Sequence, residues 1–258
     1  MKIKPIGSFL EVDSEGYIIN PTSANKLQDN WRPVIDNVIK LYEKNYGNNL
    51  SSVYIRGSVA KGTAIEKISD IDTFALIDLP ENEVDNKWIS SAEKQLKDEF
   101  PFITGAELAG ISKNSIPKNV LILLNQSLLV HGKSHEFSRM KITDKLAIHA
   151  PNIEKRFRSI KKSLSETEDP EEIKDYCAWI MKGYLRIGME ILIEKSGKYS
   201  RDLYPCYKLF SQYYPERESD MEEILMLAIK PTADKDTIER IGDDFGNWLL
   251  IETKKFFP

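Results

Sequence analysis

Two aspartates at alternate positions form a pattern that can do metal-assisted chemistry. Asp70 and Asp72 flank Ile71 at the start of an apolar run that continues through Phe74 and Leu76. Aspartate is disfavoured inside strands, and successive strand side chains face opposite sides. The run predicts a strand with both carboxylates on one face, about 7 Å apart along the backbone, and with Ile71 facing the core. Carboxylates at that spacing can bridge two Mg²⁺ ions beside a substrate phosphate.

A glycine and a serine precede the aspartates and suggest a phosphate-binding turn. Gly57 and Ser58 follow the strand-like run 52–56 and begin a predicted short helix. A glycine there allows close approach of a phosphate, and backbone N–H groups with the Ser58 hydroxyl can hold its oxygens. Lys61 in the same turn and Ser69 just before the aspartates are further candidate phosphate ligands. Together with the two carboxylates, the turn indicates a site for a nucleoside triphosphate.

Two other motifs do not account for these residues. Gly57 and Gly62 have the spacing of the glycines in a P-loop, but Thr63 occupies the position where that motif requires lysine. His131 and His135 have the spacing of helical metal ligands, but the glycine between them argues against a helix. The sequence therefore favours the two-carboxylate site over a P-loop or a zinc site.

The spacing of the Gly-Ser and Asp-Ile-Asp motifs resembles the signature of the DNA polymerase β-like nucleotidyltransferase superfamily. Gly57 and Ser58 are followed, after eleven residues, by Asp-hydrophobic-Asp-x-hydrophobic over 70–74. The run 128–137, LLVHGKSHEF, also resembles the strand and turn that end the catalytic domain of antibiotic nucleotidyltransferases. The resemblance rests on motifs over residues 52–135, and for the C-terminal helical part it rests on architecture only. The layout is most similar to small bacterial enzymes that adenylylate streptomycin- or kanamycin-like antibiotics.

The resemblance also implies a third carboxylate. In that superfamily it comes from a later, adjacent strand and lies between apolar residues. Glu107, between Ala106 and Leu108, is the matching position, and Asp78 and Asp98 are less suitable rivals. By this resemblance Glu107 shares one of the two Mg²⁺ ions and serves as a general base.

The expected reaction is transfer of a nucleoside monophosphate, most simply AMP from ATP, to an acceptor hydroxyl with release of pyrophosphate. The implied cofactors are two Mg²⁺ ions, with ATP or another nucleoside triphosphate as co-substrate. The implied acceptor is a small molecule such as an aminoglycoside. Two alternatives stay open: nucleotidylation of a protein or RNA acceptor, as in toxin-like and antitoxin-like relatives, and a nucleotide-binding module without catalysis. The presence of all three carboxylates argues against the second.

Hydrophobic periodicity divides the chain into a sheet part and a helical part. We expect an α+β protein, with an N-terminal nucleotidyltransferase mixed sheet and flanking helices over 1–140 and a C-terminal helical bundle over 141–258. In the first part the predicted elements are a hairpin around Gly16, helices over 22–46 and 87–100, and strands over 52–56, 71–79, 103–111 and 128–131. In the second part helices are predicted over 143–166, 171–196, 201–213, 219–229 and 236–256.

One predicted helix of the second part carries a pair of basic residues. Lys182 and Arg186 lie one helical turn apart, among apolar residues such as Trp179 and Met181 that we expect in the core. Such a pair is often only solvated surface. The enzymes that this chain resembles use basic residues of their helical domain to contact the triphosphate, so the resemblance makes Lys182 and Arg186 candidate β- or γ-phosphate ligands.

The composition is that of a globular chain. Of 258 residues, 41% are hydrophobic and 29% charged, and no apolar run reaches the ~18 to 20 residues that a membrane helix needs. Residues 1–140 carry 16 basic and 18 acidic side chains, and 141–258 carry 20 and 22, so neither part has the basic excess that favours general nucleic-acid binding. Two cysteines and a start without an apolar leader lead us to expect a cytoplasmic protein.

Overall fold

The computed structural model describes residues 4–257, with Ile160 described by its backbone alone. These residues form two compact units. The first spans Asp13–Met140 and contains a sheet with flanking helices. The second joins the described residues up to Val12 to those from Lys141 onward, and it is mainly helical. The predicted α+β class is therefore confirmed.

A five-stranded mixed sheet forms the first unit. Its strands are β1 Leu50–Arg56, β2 Ile71–Ile77, β3 Ala106–Glu107, β4 Gly110–Ser112 and β5 Leu128–Gly132. The order is β3-β2-β1-β5, and β4 also pairs with β2. β1 is antiparallel to β2 and β5, whereas β3 and β4 are parallel to β2. The ladders of β2 with β1 and with β3 both reach Asp72 at its start, whereas the ladder with β4 begins at Ala75.

The predicted third strand over 103–111 is two short strands, because side chains interrupt the ladder between them. Leu108 N donates to Glu93 Oε1 (3.0 Å), and Ala109 N donates to the Tyr42 hydroxyl (3.0 Å). These two N–H groups bond to neighbouring helices instead of to a strand. The break leaves β3 as a separate two-residue segment beside the start of β2.

Alternation along β1 and β2 sends side chains to both faces of the sheet. On one face, Val53 and Ile71 belong to a core shared with helices α1 Arg32–Tyr46 and α3 Ile89–Glu99. On the other face, Tyr54 pairs with Phe74 and packs against α4 Lys118–Leu124. Since residues two apart share a strand face, the neighbouring pair Arg56 and Asp72 lies on this second face.

The second unit is built around one long helix. Its helices are α5 Ile153–Glu166, α6 Pro170–Glu190, α7 Ile193–Ser196, α8 Leu203–Tyr213, α9 Glu218–Ile229, α10 Lys235–Ile241 and α11 Asn247–Thr253. Asp169 caps α6 by accepting from Glu171 N, and Pro170 occupies its first turn, where a missing N–H costs nothing. α6 packs against α5, α8, α9 and α11.

Three predicted helices are shorter or interrupted. The helix over 22–46 begins at Arg32, because Pro33 suits a first turn but not a helix interior. The helix over 143–166 begins at Ile153, after two 3₁₀ turns. The helix over 236–256 is divided by a π-helical turn at Gly242–Gly246, where a Cβ on Gly246 would lie 2.8 Å from the Tyr184 hydroxyl.

The N-terminal segment belongs to the helical unit, although the sequence placed it in the sheet domain. Leu10 N donates to Tyr199 O (2.8 Å), and Ser8 N donates to Asp202 Oδ2 (3.0 Å). Polar contacts of its backbone hold this segment, and they leave no hydrophobic pattern that would indicate the partner. Of the predicted hairpin, the turn remains: Asp13 N donates to Tyr17 O (2.9 Å) around Gly16, whose φ is 83°.

Candidate active site

The two predicted aspartates lie at the start of β2. Asp70 immediately precedes the strand and is exposed, Ile71 is fully buried in the core, and Asp72 is partly buried opposite Arg56 on β1. The alternation that the sequence predicted is thus present, with Ile71 pointing away from the two acidic side chains. Asp70 is close enough to act electrostatically on Asp72.

β3 brings a third carboxylate to the same edge. Parallel pairing sets Ala106 beside Ile71 and Glu107 beside Asp72. The rival acidic residues lie elsewhere: Asp78 follows the far end of β2 and pairs with Lys113, and Asp98 is exposed on α3. Asp72 and Glu107 are 35 residues apart in the sequence, and the parallel pairing of β2 with β3 brings them together.

Arg56 joins two of these carboxylates and was not among the residues that the sequence indicated. Its Nη2 atom lies 2.9 Å from Asp72 Oδ1 and 2.7 Å from Glu107 Oε2. The side chains of Arg56 and Asp72 are only 17% and 15% exposed, whereas that of Glu107 is 65% exposed. The sequence shows only that Arg56 ends a strand-like run next to Gly57. The ion-pair partners of Arg56 depend on the strand pairing.

Gly57 makes room for the Asp72 carboxylate. It begins α2 Gly57–Lys61 with a φ of 71°, and a Cβ there would lie 2.3 Å from Asp72 Oδ2. Both the backbone conformation and the lack of space require glycine. Ser58 and Lys61 are half-buried in the same short helix. The predicted phosphate turn therefore directly adjoins the acidic residues.

Ser69 organises the loop that leads to Asp70. Its Oγ accepts from Ile65 N (3.0 Å), and its own N–H donates to Ile65 O (2.8 Å). Lys67 has a φ of 62°, and its backbone N–H donates to Phe102 O (2.6 Å) in the segment that leads to β3. These bonds fix the approach of the chain to Asp70.

The carboxylates are crowded, and this shows in the acid–base properties of Asp72. Burial raises the pKa of Asp72 to about 7, and Asp70 and Glu107 act in the same direction, while Arg56 opposes them. A cation at this position would relieve the repulsion. Hard carboxylate oxygens are the ligands that Mg²⁺ prefers, so the donor set fits magnesium. Within residues 4–257, however, no three acidic, histidine or cysteine side chains are already gathered as a metal site.

The other predicted residues belong to other elements. Lys182 and Arg186 are half-exposed on α6 of the helical unit. Trp179, expected in the core, is 45% exposed, and the Arg156 guanidinium lies 4.3 Å from its ring centre. The two histidines of the 131–135 motif have separate partners, Glu43 for the first and Ser51 for the second.

Comparison with known proteins agrees with this geometry. Residues 35–122 match the family described as nucleotidyltransferase domain, and this stretch includes all three carboxylates and the glycine turn. No curated protein sequence matches the chain. A solved structure of the spectinomycin adenyltransferase AAD(9) from Enterococcus faecialis, with ATP and spectinomycin, is similar at a TM-score of 0.51 and 14% identity. The match covers 86% of this chain and 99% of that one.

A second solved structure shares a smaller part of the chain. It is a toxin-antitoxin with AMP-PNP, similar at a TM-score of 0.30 and 21% identity, over 38% of this chain and 73% of that one. Residues 35–122 therefore match a nucleotidyltransferase domain, and the fold of the chain resembles that of an antibiotic adenyltransferase.

Proposed function

We propose that this nucleotidyltransferase transfers AMP from ATP to a hydroxyl group of a small molecule such as an aminoglycoside, releasing pyrophosphate. The observation that carries the proposal is the pairing of Asp72 with Glu107 beside Gly57, the glycine that begins a helix. Nucleotidyl transfer needs anionic ligands for cations next to a turn that holds phosphate. The similar adenyltransferase was solved with ATP and spectinomycin, which supports the choice of nucleotide and acceptor class.

The proposed cofactor is a pair of Mg²⁺ ions. Asp70 and Asp72 would hold both ions, and Glu107 would share one of them. The hard oxygen donors support this assignment, and a cation would relieve the repulsion of Asp72 by Asp70 and Glu107. Bound magnesium would supply electrostatic stabilisation of the triphosphate and a lowered pKa of the acceptor hydroxyl.

The phosphate turn is proposed to orient the triphosphate. Backbone N–H groups at Gly57 and Ser58, with the Ser58 hydroxyl, would hold the oxygens of the β- and γ-phosphates, and Lys61 would add positive charge. Ser69 would donate a further hydrogen bond. Its Oγ acts as acceptor toward Ile65, so its own hydroxyl hydrogen remains available to a phosphate oxygen.

Glu107 is proposed as the general base. The acceptor oxygen forms a bond to the α-phosphorus as the bond from that phosphorus to pyrophosphate breaks, and the acceptor proton moves to a carboxylate oxygen of Glu107. The 65% exposure of this side chain supports the role, because an acceptor must approach it from solvent.

The helical unit is proposed to contribute to nucleotide binding through α6. Lys182 and Arg186 are one turn apart and partly exposed, which is the spacing for two cations on one anion. We assign them to the β- or γ-phosphate, whose anionic oxygens accept charge-assisted hydrogen bonds.

Pyrophosphate release from ATP and Mg²⁺ tests the reaction. The full chain should release pyrophosphate only with an acceptor from a panel of spectinomycin, streptomycin and kanamycin, and mass spectrometry should show that acceptor carrying AMP. Asp72→Asn is the control for contaminating activity. Release with tRNA or cell extract alone would move the acceptor to RNA or protein. The absence of release with every acceptor would contradict the proposal.

A further inference from the structure

One nitrogen of Arg56 bridges two proposed metal ligands. Nη2 is 2.9 Å from Asp72 Oδ1 and 2.7 Å from Glu107 Oε2, and these oxygens come from strands paired in register. A Mg²⁺ ion bound to the same two oxygens would lie about 2.0–2.1 Å from each. The ion and the guanidinium nitrogen would therefore require the same space, and both could not bridge Asp72 Oδ1 and Glu107 Oε2 at once.

The contact is built into the sheet. Arg56 and Asp72 face each other across the β1–β2 ladder, and both side chains are more than four-fifths buried. By contrast, the side chains of the ion pair of Arg32 with Asp29 are 54% and 97% exposed. A shielded pair holds its geometry far better than an exposed one, because water competes less for either partner. The Arg56 bridge is thus a defined competitor for a cation.

We propose that Arg56 is a positioning residue that takes the place of a divalent cation between Asp72 and Glu107, so that cation binding requires its guanidinium to release at least one carboxylate. The inference rests on the proposed function, which makes these carboxylates metal ligands. In the free enzyme Arg56 keeps the two side chains from repelling each other and holds them aligned. The same contact lowers the affinity of the site for a cation.

Direct binding of Mn²⁺ to the full chain tests the inference without any turnover. Free Mn²⁺ is measured by electron paramagnetic resonance during titration of the protein, with no nucleotide present. Arg56→Gln keeps a hydrogen-bond donor but removes the charge, and it should bind Mn²⁺ about tenfold more tightly than the wild type. Arg56→Lys should give an intermediate affinity. Arg139→Gln, which removes the partner of Asp13 in the same unit, is the matched control and should leave the affinity unchanged.

Thermal unfolding provides a second readout that a purely structural role would not produce. Arg56→Gln should unfold at a lower temperature than the wild type without cation, because the positive charge between the two carboxylates is then lost. Saturating Mg²⁺ should remove most of that difference. A deficit that persists unchanged in Mg²⁺, or a variant affinity equal to or weaker than wild type, overturns the inference.

Asp72→Asn separates failure of the inference from failure of the proposed function. If the wild type binds Mn²⁺ more tightly than Asp72→Asn but Arg56→Gln binds no more tightly than the wild type, the metal site stands and the role of Arg56 is wrong. If neither the wild type nor Arg56→Gln exceeds Asp72→Asn, both the metal site and the inference are wrong. If Arg56→Gln binds Mn²⁺ and the wild type does not, the inference is supported in its strongest form.

Discussion

Asp72 interacts electrostatically with Arg56, Asp70 and Glu107. It lies opposite Arg56, in register with Glu107 and against the backbone of Gly57. Burial and the neighbouring carboxylates raise the pKa of Asp72 to about 7, which means that its charged form is held at a cost to the fold. Residues kept in unfavourable environments are frequent at functional sites.

Neutralising either aspartate should abolish transfer without unfolding the protein. In Asp70→Asn or Asp72→Asn, turnover should fall by more than about a hundredfold, as losses of groups that stabilise developing charge typically do. Thermal unfolding of Asp72→Asn should occur at the same or a higher temperature, since a repelled carboxylate is removed. Turnover within tenfold of wild type in the presence of Mg²⁺ would contradict the two-metal proposal.

Gly57→Ala should damage the site beyond the cost of its backbone conformation. The new methyl group would meet Asp72 Oδ2 at 2.3 Å and displace that carboxylate, so kcat should fall by more than about tenfold. Gly47→Ala is a matched control, because Gly47 also has a positive φ of 52° but has open space around it. Both variants should lose about 1–2 kcal/mol of stability to strain. Equal activities in the two variants would show that Asp72 tolerates displacement.

At the scale of elements, α6 combines a buried face with a charged one. Met181, Tyr184 and Leu185 are buried, as their spacing predicted, while Lys182 and Arg186 stay half-exposed between them. The apolar face anchors the helix and so limits the positions that the two cations can reach. A role in phosphate binding would therefore depend on the helix as a rigid support.

Removing both cations of α6 should weaken ATP binding but spare adenosine. Lys182→Ala with Arg186→Ala should raise the Kd for ATP by more than about tenfold, because each charge-assisted bond to phosphate contributes about 1.5–3 kcal/mol. Isothermal titration with ATP and with adenosine distinguishes phosphate contacts from general damage. Lys174→Ala, which removes a partner of Glu171 on the same helix, is the control. Unchanged ATP affinity would leave the pair as solvated surface.

At the scale of the whole molecule, two buried groups make the free energy of unfolding depend on pH in opposite directions. Burial raises the pKa of Glu190 to about 7, even though the carboxylate accepts N–H bonds from Ile148, His149 and Ala150. Burial also lowers the pKa of His149 to about 3, with nearby arginines acting in the same direction. An acid whose pKa is higher in the folded than in the unfolded state makes the protein less stable as pH rises. A base whose pKa is lower in the folded state makes the protein more stable as pH rises.

Glu190→Gln should therefore change the slope of stability against pH between about 4.5 and about 7. In that range the folded wild type keeps the Glu190 proton and the unfolded chain releases it, so this residue makes the free energy of unfolding fall as pH rises. Without it, the free energy should increase more steeply with pH in urea denaturation. Glu194→Gln, which alters an exposed carboxylate that accepts Asp144 N, controls for a lost backbone hydrogen bond. Parallel slopes would refute the assignment.

At the same scale, the described chain contains no helix with both the length and the apolar character needed to cross a membrane. The similarity to the adenyltransferase structure covers 86% of the chain and concerns its fold.

Local pattern was sufficient to predict β1 and β2 beside the site, whereas the expected activity came from a resemblance. The alternation at 70–72 and the glycine turn at 57–58 are short-range features, so their meaning does not depend on distant segments. The α+β class followed from the change of hydrophobic period near residue 140. Glu107 came from resemblance, because nothing in its own neighbourhood marks it as a partner of Asp72.

Only the tertiary structure decided which side chains meet. Arg56 bridges Asp72 and Glu107 because three strands pair in one register, and a single-residue slip would turn each side chain to the other face. The place of the N-terminal segment depends on hydrogen bonds of its backbone to residues about 190 positions away, and no local pattern indicates those partners. Strand register and long-range backbone pairing are properties of the folded chain, and for that reason no local pattern contains them.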